Sequence, residues 1–151
     1  MGQDSDISQE GAPHFKFPSF EHEEGEIERV QQHFQIKMED FVKKFLEKAR
    51  AGKLVRLSDE VWDMVENTDS HSDNILRGDW DTVATCSAAN EVPRDWESKK
   101  KALQSGIPID APIIARQGDT LHLVSGNTRL MVARALGVRP DVLIVDITDF
   151  T

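Results

Sequence analysis

The segment 106–147 constrains the fold of this chain more than any other part of the sequence. Two short apolar runs flank a Gln117-Gly118-Asp119 turn, which is typical of a β-hairpin. A helix with a regularly spaced apolar face follows and stops at Gly137, and a Val/Ile-rich run then predicts a strand in the middle of a sheet. The predicted strands are 112–116, 121–124 and 142–147, and the predicted helix is 128–136. This order predicts an α+β fold, a small mixed β-sheet with packed helices.

A short polar loop, Ser125-Gly126-Asn127-Thr128-Arg129, lies where this helix is predicted to begin. The first turn of a helix carries free backbone N–H groups and the positive end of the helix dipole, so it attracts anions. An arginine can grip a phosphate through two parallel hydrogen bonds. We therefore expect these five residues to bind a phosphate group.

A simpler interpretation of the same loop stays open. Asn127 or Ser125 could only cap the helix, and Arg129 could pair with a carboxylate such as Asp110 or Asp146. Turnover of a phosphate substrate would need a base or a metal ion, Mg²⁺ or Mn²⁺ with a nucleotide. Asp110 and Asp146 are the candidate catalytic residues. Asp119 and His122 are further candidates for the base or metal ligand, but Asp119 is better interpreted as a turn residue and His122 as a packed or solvent-facing strand residue.

Composition excludes several classes of protein. The chain has 151 residues, enough for one domain with a real core, and its one cysteine excludes a disulfide framework and a cysteine-rich zinc site. The net charge of −9 repels the phosphate backbone, so stable duplex DNA binding is not expected. The sequence has neither a basic leader nor an apolar run long enough for a membrane span, and we expect a cytoplasmic protein with no membrane partner.

The N-terminal third predicts two additions to the domain. Residues 1–26 hold seven acidic residues and one lysine, a net −6, and are expected to form a flexible acidic arm. Its three phenylalanines could dock on a partner or on the protein itself. Residues 27–53 predict an amphipathic helical extension, either one helix or two helices with a break near Gln35. The remaining 54–151 form the predicted domain, and residues 15–51 are the candidate surface for a protein partner.

The middle of the chain carries weaker signals. Ser58 is a good helix cap, and a further helix is predicted over 94–105. Its three lysines, 99–101, favour a solvated face, with steering of a phosphate ligand as the alternative. The polar stretch 67–81 is interpreted as a solvated loop, because its alternating Asp69, His71 and Asp73 supply too few ligands for a metal site.

The ordered elements of residues 92–147 resemble the ParB/sulfiredoxin fold, as in the N-terminal domain of ParB proteins and in single-domain phage or mobile-element relatives. The resemblance rests on a helix ending at a glycine, the Pro112-Ile113 strand start, the hairpin, the Gly-x-x-Arg turn at 126–129, an alanine-rich helix and a final Val/Ile strand. In that family the turn binds nucleotide phosphates. The resemblance implies close backbone approach at Gly126, hydrogen bonds from Asn127 and Thr128, and charge from Arg129.

Departures from the family narrow the function. Sulfiredoxins carry Gly-Cys-His-Arg at this turn, whereas Asn127 and Thr128 stand here, so the nucleophile for sulfinic acid repair is missing. ParB segregation proteins carry Gly-Glu-Arg-Arg and a DNA-reading module, which the segment after Ile147 is too short to hold. Three hypotheses remain: a nuclease or nucleotide phosphohydrolase or phosphotransferase, a nucleotide-binding module without turnover, and an interaction or scaffold module of a phage or mobile element.

Overall fold

A computed structural model describes residues 14–89 and 94–151. The described chain contains six helices and six strands, all of them short. In order they are β1 (Phe15–Lys16), α1 (Glu24–His33), α2 (Phe41–Arg50), β2 (Leu54–Arg56), α3 (Asp59–Trp62), α4 (Trp80–Ala88), α5 (Trp96–Gln104), β3 (Ile109–Asp110), β4 (Ile113–Gln117), β5 (Thr120–Ser125), α6 (Asn127–Leu136) and β6 (Asp141–Asp146).

The centre of the fold is a four-stranded mixed sheet in the order β2-β6-β4-β5. β4 runs parallel to β6 and antiparallel to β5, while β2 pairs antiparallel with the other side of β6. The parallel pair is possible because α6 carries the chain back across the sheet between β5 and β6. The α+β fold class with a small mixed sheet is confirmed, as are the hairpin, its turn and the helix and strand that follow.

The two faces of the sheet border two separate hydrophobic cores. Along β4, Ile113 and Ala115 pack towards α1 and α2, whereas Ile114 packs towards α6 and its neighbours. Successive side chains of a strand point to opposite faces, so both faces of this strand are apolar. Helices therefore cover the sheet on both sides.

The segment predicted as a helical extension supplies one of these covering layers. Ile27 and Val30 of α1 and Phe41 and Phe45 of α2 are buried against β4 and β6. The break expected near Gln35 is present, and this residue adopts a left-handed φ of 56°. Its N–H donates to Gln32 and the next N–H donates to Gln31, which is the Schellman pattern that ends a helix.

Part of the predicted acidic arm is also packed. Phe15 in β1 is 2% exposed and pairs in parallel with Ile109 of β3, so this phenylalanine docks on the protein's own surface. Phe17 remains 41% exposed. Residues 1–13 of the arm lie outside the described residues, and its flexibility stays a prediction.

The described residues between 58 and 105 form three helices, two of which are expected from the sequence. The Ser58 hydroxyl accepts from the Val61 N–H at 3.2 Å, which confirms the cap, and α5 lies inside the helix predicted over 94–105. Helix α4 has no counterpart among the predicted elements; its cap is Asp79, whose carboxylate accepts from the Thr82 N–H.

Across the described ranges 14–89 and 94–151, no helix combines the length and apolarity that crossing a bilayer requires.

Candidate functional site

A cleft of about 620 Å³ opens where β5 ends and α6 begins. One wall comes from α1 and the turn before it, another from the start of α5, and the floor from the β5–α6 junction. Its lining residues are Glu21, His22, Glu23, Glu26, Arg29, Asn67, Arg94, Asp95, Lys99, Leu123, Val124, Ser125, Gly126, Asn127, Thr128 and Arg129. All five residues predicted to bind phosphate thus share one cleft.

Gly126 makes the sharp connection at the floor of the cleft. It is the N-cap of α6 with a left-handed φ of 114°, and a Cβ placed there would lie 2.7 Å from the Pro112 Cβ. Only glycine fits both constraints. In this structure a glycine is required at position 126 because the loop backbone lies against Pro112, whereas the family resemblance implied a close approach to a phosphate.

The first turn of α6, whose residues line this cleft, has unused hydrogen-bond donors. The Gly126 carbonyl accepts from the Leu130 N–H at 2.9 Å, which is the first hydrogen bond of the helix. Among the described residues, no acceptor bonds the backbone N–H of Asn127, Thr128 or Arg129, and no side chain caps α6. The helix is 10 residues long, so its dipole adds positive character at this end.

Arg129 supplies a cation beneath the loop. One guanidinium nitrogen donates to the Asp110 backbone carbonyl at 2.8 Å and to the Ala111 carbonyl at 3.3 Å, and the other lies 3.5 Å from the Ser125 hydroxyl. Burial lowers the pKa of Arg129, while the nearby carboxylates of Glu23 and Asp110 oppose that shift. An arginine still stays charged at neutral pH.

Asn127 is engaged by a neighbouring loop. Its side-chain oxygen accepts from the Thr68 hydroxyl at 2.7 Å and from the Asp69 N–H at 2.9 Å, and its nitrogen donates to the Asp69 carboxylate at 2.9 Å. These bonds fix the start of α6 to the loop after α3. Asn127 thus orients the site, while its backbone N–H remains available.

Glu23 is a cleft residue that the sequence analysis did not single out. Burial raises its pKa above the ordinary value for a glutamate, against the attraction of Arg129 and a hydrogen bond with the Ser125 hydroxyl. A carboxyl group with a raised pKa in a cleft is a candidate for proton transfer. The sequence signal for Glu23 is a group of four acidic residues between 21 and 26, which is equally typical of a flexible acidic arm.

The two aspartates predicted as catalytic lie apart from each other. Asp110 accepts from the Ser19 N–H at 3.1 Å, forms a 3.9 Å ion pair with Lys16, and stands close enough to Arg129 to interact with its charge. Asp146 pairs in register with Arg116, whereas Ser125 pairs with Ile113 at the other end of β4. Asp146 and Ser125 are therefore separated by three residues along β4, or about 10 Å.

Asp146 has its own local partners. Its carboxylate accepts from the Thr148 N–H at 2.9 Å and the Thr148 hydroxyl at 2.5 Å, and it lies 3.2 Å from Arg116. The hydrogen bonds from Thr148 lower the pKa of Asp146. Neither Asp110 nor Asp146 is among the residues that line the cleft. Asp110 is the nearer of the two predicted aspartates, because it interacts with the charge of Arg129.

The lysines of α5 divide between two roles. Lys99 lines the cleft, whereas Lys100 lies over the Trp80 ring at 4.1 Å and Lys101 is exposed. Lys99 is therefore the lysine of α5 that is placed to attract an anion towards the cleft. Arg29 and Arg94 also line the cleft, and neither could be assigned to it from sequence because both come from distant segments.

The loop 67–81 is more closely packed than a solvated loop would be. Ser70 and Ile75 are fully buried, Asp69 bonds Asn127, and the His71 Nε2 atom lies 2.6 Å from the Val65 carbonyl. Within the described part of the chain, Asp69, His71 and Asp73 do not converge as metal ligands.

His122 lies outside the cleft, on the face of β5 that meets α1. Its ring stacks on His33 with centroids 4.2 Å apart, and its Nδ1 atom lies 3.3 Å from a Glu66 oxygen. Burial lowers the pKa of His122, and the hydrogen bond to Glu66 opposes that shift.

No protein-family model, curated protein or solved structure matches this chain.

Proposed function

We propose that this protein binds a nucleotide or another phosphate-bearing ligand in the cleft at the start of α6. One observation carries the proposal: three adjacent residues that line the cleft at a helix N-terminus, Asn127, Thr128 and Arg129, have backbone N–H groups with no acceptor among the described residues. A phosphate oxygen satisfies such donors and interacts favourably with the helix dipole. The resemblance of the Gly-x-x-Arg turn to the ParB/sulfiredoxin fold supports the same ligand.

The charges around the cleft favour a phosphate that arrives with a divalent cation. Its charged lining residues are four basic (Arg29, Arg94, Lys99 and Arg129) and four acidic (Glu21, Glu23, Glu26 and Asp95). The carboxylates would repel a bare polyphosphate, but their oxygens are the ligands that Mg²⁺ and Mn²⁺ prefer. We therefore include Mg²⁺ or Mn²⁺ with the nucleotide in the proposal.

Calorimetric titration with ATP, CTP and their diphosphates, with and without Mg²⁺, tests the proposal. Lys99→Gln should weaken binding several-fold because it removes a cleft cation, whereas Lys101→Gln, an exposed lysine of the same helix, should leave it unchanged. Arg129→Gln should weaken it more, since this cation belongs to the loop itself and lies 3.5 Å from the Ser125 hydroxyl. If no nucleotide gave any binding heat, the proposal would be ruled out.

Turnover is a second candidate function, and Glu23 is the observation that favours it. Its carboxyl group has a raised pKa and lies beside Ser125 and Arg129 inside the cleft. It could accept a proton from an attacking water or hydroxyl in a nucleotide phosphohydrolase, phosphotransferase or nuclease. Phosphate release and plasmid nicking should then require Mg²⁺ or Mn²⁺ and be lost in Glu23→Gln. Nucleotide binding without either activity would identify a binding module.

An interaction or scaffold role through residues 15–51 stays a prediction. The largest apolar side chains of α1 and α2 lie in the core of this chain, so a partner would meet their polar faces and Phe17.

A further inference from the structure

We propose that His33, Glu66 and His122 form a binding site for a divalent transition-metal ion of the zinc class. The three residues come from the end of α1, the loop after α3 and the middle of β5. One candidate ligand atom from each residue, a ring nitrogen of either histidine and a carboxylate oxygen of Glu66, lies within 4.8 Å of the other two. This site is separate from the phosphate-binding proposal and does not depend on it.

The backbone holds two of these ligands side by side. The Glu66 N–H donates to the Leu121 carbonyl at 2.8 Å, and the Leu123 N–H donates to the Glu66 carbonyl at 2.9 Å. These two bonds flank His122, so Glu66 and His122 lie in a local parallel bridge. Their side chains therefore start from adjacent, fixed positions at the edge of the sheet.

The third ligand is placed by the end of α1. His33 is the last residue of that helix, and the Schellman turn at Gln35 ends it there. The His33 ring lies over His122, with an angle of 22° between the rings. Phe34 contacts the edge of the same cluster, with its ring centroid 5.5 Å from that of His122.

Hydrogen bonds to Glu66 account for the position of His122 but not for that of His33. The same Glu66 oxygen lies 3.3 Å from His122 Nδ1 and 3.8 Å from His33 Nε2. The longer distance is beyond a hydrogen bond. A metal ion with bonds of about 2.0–2.1 Å would hold tetrahedral ligand atoms about 3.3 Å apart. Ligation would require the two stacked rings to turn about their side-chain bonds until a nitrogen lone pair of each points at the ion, which the exposed side chain of His33 allows.

The local charge favours a cation. Glu66 carries a negative charge, and the carbonyl groups at the end of α1 add the negative end of its dipole. Neither histidine needs a proton when it ligates a metal, so two close rings then avoid mutual repulsion.

The donor atoms select the class of ion. Two imidazole nitrogens and one carboxylate oxygen suit Zn²⁺ and its neighbours Co²⁺, Ni²⁺ and Cu²⁺, whereas Mg²⁺ and Ca²⁺ prefer oxygen ligands throughout. The side chains of His33 and Glu66 are 49% and 53% exposed, so water can complete the shell. Three protein ligands with an open position distinguish this arrangement from a closed structural site.

Metal binding by the full chain tests the proposal directly. After treatment with a chelator and its removal, the protein is titrated with ZnCl₂ by calorimetry and with Co²⁺ by visible absorption. We expect one ion per chain and a Co²⁺ spectrum with nitrogen ligation. Loss of a second-shell partner costs a metal site roughly 10–100-fold in affinity, so His33→Gln and Glu66→Gln should each lower the affinity by about 100-fold or more.

His14→Gln is the matched control, because it removes a histidine outside the cluster and should leave the affinity unchanged. The exposed positions of His33 and Glu66 make folded variants the expected outcome, which circular dichroism checks. Equal zinc affinity in the two cluster variants and the control would overturn the proposal. So would the absence of zinc binding by the unmodified chain at millimolar zinc.

Discussion

At the scale of single residues, Gly126 shows how one position can serve both fold and site. Its left-handed φ of 114° starts α6, and the lack of a side chain lets the loop lie against Pro112. The sequence could indicate a glycine turn at a helix start from the residue types alone. It could not show that the close neighbour is Pro112, because that contact depends on the register between β4 and β5.

Gly126→Ala should destabilise the protein by about 2–5 kcal/mol, the combined cost of a left-handed alanine and an overpacked contact. Gly25→Ala is the matched control, since Gly25 lies in α1 with nothing within 4 Å of an added Cβ. That change should stabilise the protein by about 0.5–1 kcal/mol through helix propensity. Urea unfolding measures both; equal effects of the two substitutions would contradict this account of Gly126.

Glu23 has a pH-dependent effect on stability that follows from its raised pKa. A glutamate with a raised pKa in the folded state stabilises the fold fully below its unfolded pKa of about 4.3, and this contribution is lost as pH rises through the folded pKa. Glu23→Gln should therefore raise the free energy of unfolding at pH 7 and leave it unchanged near pH 4. A variant that is less stable than the natural chain at pH 7 would contradict this sign.

At the scale of elements, the helices and strands after residue 106 could be predicted because their signals are local: a Gly-Asp turn, alternating apolar residues and a glycine stop. Helix α4 could not, since its short apolar face gives a weak periodicity and its burial comes from contacts with α6. The break in the segment 27–51 could be placed near Gln35, but only the Schellman hydrogen bonds explain why the helix ends there.

Gln35→Gly should stabilise the protein by up to about 1 kcal/mol, because glycine removes the left-handed strain of about 1–2 kcal/mol and adds a smaller entropy cost. Gln32→Gly, at an exposed position inside α1, should instead destabilise it by about 1 kcal/mol. Thermal unfolding distinguishes the two. If both substitutions destabilised the protein, the strain assigned to Gln35 would be wrong.

At the scale of the whole molecule, the cleft is a product of tertiary packing. The α6 loop could be recognised from sequence, but Glu23, Arg29 and Lys99 come from segments that pack on different sides of the sheet and meet only at the end of β5. The N-terminal segments were predicted as additions to the domain, because amphipathic patterns show that a face is buried and not which surface buries it. Residues from more of the chain than the α6 loop therefore line the cleft.

The most direct test of the central proposal is a titration of ¹⁵N-labelled protein with Mg²⁺ and ATP, followed through the backbone amide resonances. Phosphate binding at the start of α6 should shift the amides of Asn127, Thr128 and Arg129 most strongly, with smaller shifts at Lys99. Unchanged resonances for these three amides at saturating nucleotide would contradict the proposed site.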